Sequence, residues 1–351
     1  MGNTRINGII LSLLVLLTFL SSCNSEPNIP KYNYENVYSV KIIENNSEYI
    51  KSGNVYLHDN YIYVVYTNTI EPKKAAIQSF DLNGGDVKLD EINLSTTITN
   101  VFVLNDGSYI VISSIEYNNH TLIHIKDNEN TVLIERIQDL LGVSTYIEAL
   151  CLSTDNLLYI QIENMIYKLS LDTFEYTTTN IENKIFITKT HETNDGSIIF
   201  ESPGYEYYTI NEENKFVSYK INNLPEYCKN NWEYRYDFGD GYDIYLNNNT
   251  GVYGYNHGDK DADLLVNWVN SDILYYDIFR PVSILKVISP DKVLCVKGTI
   301  GNQQLMLLTR IPDDEIIPKS IISLAHTISI QDTVYPAVIH FNMTNDKYRY
   351  E

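Results

Sequence analysis

Positive charge is scarce in this 351-residue chain: 25 Lys and Arg stand against 45 Asp and Glu, a formal net charge of -20 at pH 7. That balance excludes a protein built to coat nucleic acid, where basic stripes supply the affinity. It also disfavours binding an anionic lipid surface through charge alone. Cysteine is scarce too, with four residues and no Cys-x-x-Cys, so thiol redox chemistry and a zinc knuckle have no support. The seven His include no His-Glu-x-x-His, which removes the usual signature of zinc hydrolysis. No Gly-x-Ser-x-Gly and no phosphate loop occur. The apolar run from Ile9 to Leu20, broken by Ser12 and Thr18, is too short for a spanning helix, which needs about 20 apolar residues.

What is present reads as a globular, β-rich chain. Hydrophobic residues make up 44% and charged residues 20%, enough apolar content to bury a sizeable core. The 30 Tyr and the abundant Ile favour strands, and Asn, Asp and Gly supply the turns. The length suits one large domain or two ordinary ones.

The N-terminus carries an address. Arg5 gives a positive start, Ile9 to Leu20 a secretory hydrophobic segment, and Leu20-Ser21-Ser22-Cys23 its end. Small residues directly before a Cys at this place resemble the lipobox of bacterial lipoproteins. The resemblance implies removal of residues 1–22 and attachment of diacylglycerol to the Cys23 thiol; an ordinary signal peptide with an incidental Cys is the alternative. Acyl chains contribute about 0.8 kcal/mol per buried CH₂, so two or three hold a protein stably to a bilayer. The expected location is the outer face of a bacterial cell membrane. Residues 23–38, with Asn24, Ser25, Pro27, Asn28 and Pro30, read as a polar tether. Of the remaining thiols, Cys151, Cys228 and Cys295, at most one pair can bridge; Cys151 and Cys295 lie in apolar runs and read as buried free thiols.

Internal repetition is the most informative pattern. Asp59-Asn60, Asp106-Gly107, Asp155-Asn156, Asp195-Gly196, Asp240-Gly241 and Asp291-Lys292 each precede an apolar strand. They recur at intervals of about 40 to 50 residues. Most follow an apolar strand as well, such as Val55 to Leu57 or Val101 to Leu104, so each reads as a hairpin turn. A second turn lies roughly 20 residues on, as at Asp81-Leu82-Asn83-Gly84, Asp127-Asn128 and Asn211-Glu212-Glu213-Asn214. Four short strands per unit, six times over, predict an all-β, six-bladed β-propeller across residues 39–315, or seven blades if one unit is hidden. Ser39 to Ile43 is the candidate for a strand that closes the ring on the last blade. A β-sandwich or a solenoid is the competing arrangement of such hairpins.

Residues 316–351 differ in pattern. After the breaks at Pro312 and Pro318, Ile321 to Ala325 reads as a strand, 331 to 343 as a helix with Val334, Ala337, Val338 and Phe341 on one face, and Lys347 to Glu351 as the start of another strand. Ile321-Ile322-Ser323-Leu324-Ala325, Phe341-Asn342 and Asn345-Asp346-Lys347-Tyr348-Arg349 are similar to the opening of family 1-type extracellular solute-binding proteins, the lipid-anchored receptors of ABC importers. The resemblance implies a propeller carried ahead of an α/β binding lobe. In longer relatives of this plan the partners would be an importer permease and a solute such as a sugar. The chain stops inside the second strand, so the expectation is a truncated relative; a C-terminal β-α extension on the propeller is the alternative. No ligand residue of the solute cleft is present to carry over.

Candidate chemistry is thin. His120 and His124 fall on one face of a strand, where solvated histidines outrank metal ligands. Asp259-Lys260-Asp261-Ala262-Asp263 alternates like a calcium loop but lacks its Gly and distal Glu, so an acidic turn is the better reading. Asp237 to Asp243 reads as a blade turn. Trp232, Tyr234, Tyr236 and Phe238 alternate with polar residues, which suits inter-blade packing, or a stacking surface if that face reached the mouth. The expected function is therefore non-enzymatic, with no cofactor, no metal and no assigned catalytic residue. A stand-alone propeller that binds a surface protein or glycan is the second reading, and a lyase or hydrolase working in an axial pocket the third.

Overall fold

The computed structural model describes residues 36–43, 51–67, 71–116, 118–181, 185–193, 196–203, 206–220, 235–237, 240–247, 251–268, 270–271, 273, 282–298, 304–317, 319–322, 338, 341–342, 345 and 347–350. Cys23, Cys228, Trp232, Tyr234 and Phe238 lie outside them, as does most of the helix expected over 331–343. Asn36–Ile311 form one compact unit, and Pro312–Glu351 belong to a second.

Strand β1 (Tyr38–Ile43) comes first in the chain but belongs to the last blade. Blade one is β2 (Lys51–His58), β3 (Tyr61–Thr67), β4 (Lys74–Asp81) and β5 (Lys88–Asn93). Blade two is β6 (Thr97–Val103), β7 (Tyr109–Glu116), β8 (Asn119–Lys126) and β9 (Glu129–Ile134). A short helix, α1 (Ile137–Leu141), leads into blade three: β10 (Glu148–Leu152), β11 (Leu157–Ile162), β12 (Met165–Ser170) and β13 (Tyr176–Asn180). Blade four is β14 (Lys189–Glu192), β15 (Ile198–Ser202), β16 (Glu206–Ile210) and β17 (Phe216–Ser218). Blade five is β18 (Arg235–Asp237), β19 (Ile244–Asn247), β20 (Gly251–Tyr255) and β21 (Asp263–Asn267). Blade six takes β22 (Val282–Ser289), β23 (Lys292–Lys297) and β24 (Gln304–Arg310), and β1 completes it.

Every blade is a four-stranded antiparallel meander, so there are six blades and not seven. Six hydrophobic clusters show why they close into a ring. Ile77 and Val65 meet Val101 and Val111 between blades one and two, and Phe102 and Leu122 meet Leu158 and Ile160 between two and three. Ile166 meets Phe200 between three and four, and Ile199 meets Leu246 between four and five. Val252 meets Val293 between five and six, and Leu294 and Leu307 meet Val64 and Phe80 between six and one. One cluster per neighbouring pair, including six with one, is the packing of a closed propeller. A sandwich or an open solenoid would leave at least one face uncovered. The middle strands are buried on both faces, as in β4, where six consecutive residues from Ala75 to Phe80 are buried, the polar Gln78 and Ser79 among them. Outer strands such as β5 and β9 are largely exposed and polar.

The Asp-bearing turns have a shared local cause. In blades two, three and four, the N–H of Gly107, Asn156 and Gly196 donates back to the C=O of Leu104, Ser153 and Thr193. Those fourth residues hold φ of 77°, 58° and 80°, a left-handed conformation that only Gly, Asn and Asp adopt at low cost. Asp106 Oδ1 accepts the Ser108 N–H and so fixes the bend. Asp59 and Asn60 both sit at positive φ, as a two-residue hairpin of type I′ requires.

Ring closure rests on β1, which pairs with β24 from Tyr38↔Arg310 to Ile43↔Leu305. Val37 and Tyr38 are buried and Tyr38 Oη donates to the Pro290 carbonyl, so the ring takes in residues expected at the end of the tether. In the second unit, β25 (Ser320–Ile322) and β26 (Tyr348–Tyr350) pair in parallel, and Val338, Phe341 and Asn342 are helical. No helix among the described residues is long and apolar enough to cross a membrane.

Candidate functional site at the axial mouth

The first strand of each blade lies innermost, so β2, β6, β10, β14, β18 and β22 surround the axis. Each has one edge without a strand partner, and at β6, β10 and β22 side chains of a neighbouring blade bond to that strand's backbone. Tyr56 Oη donates to the Val101 carbonyl, His58 Nε2 to Val103, and Thr190 Oγ1 to Leu150. The Val287 N–H of β22 donates to Asp237 Oδ2 on β18.

Strand β14 faces two ways because its side chains alternate. Thr190 and Glu192 point towards blade three, and His191 towards blade five. On the blade-five side lies a largely buried cluster. His191 Nε2 is 3.0 Å from Glu201 Oε2, and its Nδ1 is 3.4 Å from Asp237 Oδ1. Lys286 Nζ stands 3.8 Å from the same Asp237 oxygen. The His191 side chain is 2% exposed, which keeps both ring nitrogens out of reach of a substrate. Burial opposes ionisation of Asp237, yet Lys286, His191 and Lys189 outweigh it and hold the carboxyl well below the usual range.

On the blade-three side is an open cleft of about 260 Å³, counting the solvent at its mouth. Its lining comes from corresponding places in four successive blades: Tyr56 and His58, Val103 to Asn105, Leu152 to Thr154 with Asn156, and Glu192. Thr154 binds Glu192 Oε1 twice, through Oγ1 at 2.6 Å and N at 3.1 Å. Burial depresses the His58 pKa, and its Nε2–H bond to Val103 leaves Nδ1 as an acceptor. The nearby Cys151 thiol is pushed up to about 12 by burial, which makes it a poor nucleophile.

The residues singled out in the sequence fall elsewhere. His120 and His124 share a face of β8, but His120 Nδ1 meets Gln138 at 2.6 Å and His124 Nε2 meets Ser108 at 2.8 Å. Four residues along a strand is about 13 Å, too far for one ion. Asp259 to Asp263 form an exposed turn between β20 and β21, with Asp263 accepting from Tyr242. Asp237 ends β18 instead of opening a turn. Cys151 and Cys295 are free thiols. Among the described residues no group of three His, Cys, Asp or Glu is placed to hold a metal. His58, Glu192, His191, Glu201 and Lys286 escaped sequence reasoning. Position could have found two of them, since His58 and Glu192 both close the first strand just before the repeated turn.

Together these elements define a six-bladed β-propeller with an accessible cleft at the inner ends of blades one to four. Solved structures of similar outline include a catalytically inactive virginiamycin B lyase of Staphylococcus aureus with quinupristin, at 11% identity and TM-score 0.45 over 78% of this chain and 100% of that one. YCF48 of Cyanidioschyzon merolae aligns at 11% identity and TM-score 0.46 over 77% and 98%. A luciferin-regenerating enzyme aligns at 10% and 0.46 over 78% and 95%. Likenesses this distant say nothing about chemistry; the ring rests on its own strand pairing. No family model matches the chain, and no curated protein matches it in sequence.

Proposed function

We propose that the chain is a binding module, not an enzyme, and that it recognises its partner through the axial cleft. The observation that carries this reading is the division of labour across β14. The groups suited to proton transfer are engaged with one another, with His191 and Asp237 buried and Glu201 and Lys286 only partly exposed. The groups that line the open cleft are amides, hydroxyls, a histidine with depressed pKa and one carboxylate, a set that recognises rather than reacts. An enzyme working at the axis would need the buried set exposed, and that ranks this alternative second.

The ring would be presented outside the cell by lipid on Cys23, with the residues that follow acting as tether. The parallel pairing of β25 with β26 supports the further reading of an α/β lobe, because parallel strands need a crossover between them. On that reading the propeller serves an importer receptor, as spacer or docking surface, and an importer permease should co-purify with the anchored chain; its absence from membrane eluates would count against the receptor role. Photo-crosslinking on intact cells tests the binding role. A crosslinker at Asn105 on the cleft should trap a ligand or partner, and one at Val132, exposed at 52% on the outer strand β9, should not. Equal trapping at both positions, or none at Asn105, would refute it.

A further inference from the structure

The hydrogen-bond census of the cleft points to the charge of its ligand. Several donors on the rim are already engaged. The Thr154 N–H and hydroxyl go to Glu192, the Ser153 N–H to Leu157, and the Asn156 N–H to Ser153. Asn105 Nδ2 donates to the Thr154 carbonyl and Asn156 Nδ2 to Asp172, which engages one hydrogen of each amide and leaves both amide oxygens as acceptors. His58 spends its proton on Val103 and presents Nδ1. Glu192 Oε2 receives only a long contact, 3.4 Å from the Thr154 N, and keeps acceptor capacity.

The cleft therefore keeps free acceptors beside one carboxylate, and none of its lining residues is Lys or Arg. The charges of Asp59 and Glu192 both act on His58. The rings of Tyr56 and His58 stack at 6.2 Å and 22° and form an aromatic wall beside the carboxylate. A primary ammonium has three donors and no acceptor, so it complements this lining. An aromatic wall attracts the same charge.

Building on the binding role proposed above, we propose that the cleft seats a primary ammonium group at the end of a flexible chain, such as a lysine side chain of a peptide, with Glu192 as its counter-charge. Thr154 holds the carboxylate in place, and the amide oxygens of Asn105 and Asn156 complete the seat. A net charge of -20 steers such a ligand inwards.

The test is an NMR titration of the full folded chain with Nα-acetyl-lysine N-methylamide, followed at the amides of Asn105, Thr154 and Asn156. The same compound acetylated on its ε-nitrogen, and therefore neutral, is the control. The ammonium probe should shift those amides saturably and the neutral probe should not. Glu192→Gln should weaken binding about tenfold or more, the scale of a lost charge-assisted hydrogen bond. Binding by the unaltered protein should also fall as salt is raised, a readout that stands even if the variant folds poorly. Equal shifts with the neutral probe, insensitive to salt and to Glu192→Gln, would overturn the ammonium assignment and leave the binding role standing. No shift with either probe would also overturn it; if the Asn105 crosslinker then trapped nothing, the binding role would fall separately.

Discussion

Replacing Asp237 with Ala is the sharpest perturbation of the ring interior. The carboxylate accepts the Val287 N–H at 2.9 Å and faces His191 and Lys286. Its removal leaves a buried N–H unpaired and takes one carboxylate away from His191, which keeps Glu201, and from Lys286. Breaking a buried pair by deleting one partner costs about 3–5 kcal/mol. For a domain of this size each kcal/mol moves Tm by about 2–4 °C, so the loss should be about 6–20 °C. Asp237→Asn keeps an oxygen for Val287 and should lose less. Because the folded pKa lies below the unfolded value, the charge contributes stability at neutral pH and loses it as pH falls through the carboxylate range towards the folded pKa. The Tm gap between unaltered protein and the Asn variant should therefore narrow as the pH falls below about 4. Thermal unfolding followed by circular dichroism across that range checks it. An Ala variant within 2 °C of the parent, or a gap that widens in acid, would refute the assignment of this cluster as a stabilising ionic network.

Three further outcomes follow from packing and from the N-terminal pattern. Gly251→Ala should cost about 1–3 kcal/mol in chemical denaturation, because its Cβ would sit 2.1 Å from the Val266 carbonyl oxygen. Phe200→Ala should cost about 3–5 kcal/mol by the same assay, since the buried ring packs against Tyr159 and Phe216 between blades three and four. Cys23→Ala should release the protein from membranes on fractionation; a variant that stays in the membrane fraction contradicts lipid anchoring.

The sequence made the ring legible and the cleft almost invisible, for a physical reason. Turns such as Leu104–Gly107 and Ser153–Asn156 demand a left-handed residue, few residue types accept that conformation, and the period is therefore written in Asn, Asp and Gly. Strands buried on both faces, such as β23 with Val293 to Val296, are written in apolar runs. Even the closing strand β1 could be placed, because Ser39 to Ile43 had no blade of its own before it. Helix α1 was not expected: five residues are too few to show a helical period, and Ile137 and Leu141 are drawn in by the core between blades two and three. The groups at the axis belong to different blades. His191 and Asp237 meet through ring closure, and Glu192 acquires its meaning from Thr154 on another blade. Such contacts leave no local pattern; only superposing the repeats brings the strand ends His58 and Glu192 into correspondence.

The central claim is that one ring is closed by pairing the first strand with the last blade. Ser39 and Thr309 are direct partners across β1 and β24, and Ser39 Oγ already reaches the Thr309 carbonyl over a sequence separation of 270 residues. Mild oxidation of the Ser39→Cys, Thr309→Cys double variant, followed by peptide mass spectrometry, measures that pairing directly. The ring predicts an intramolecular disulfide between the two substituted positions in the folded monomer, and its disappearance when the protein is unfolded before oxidation. A folded monomer that never forms it would contradict closure through β1.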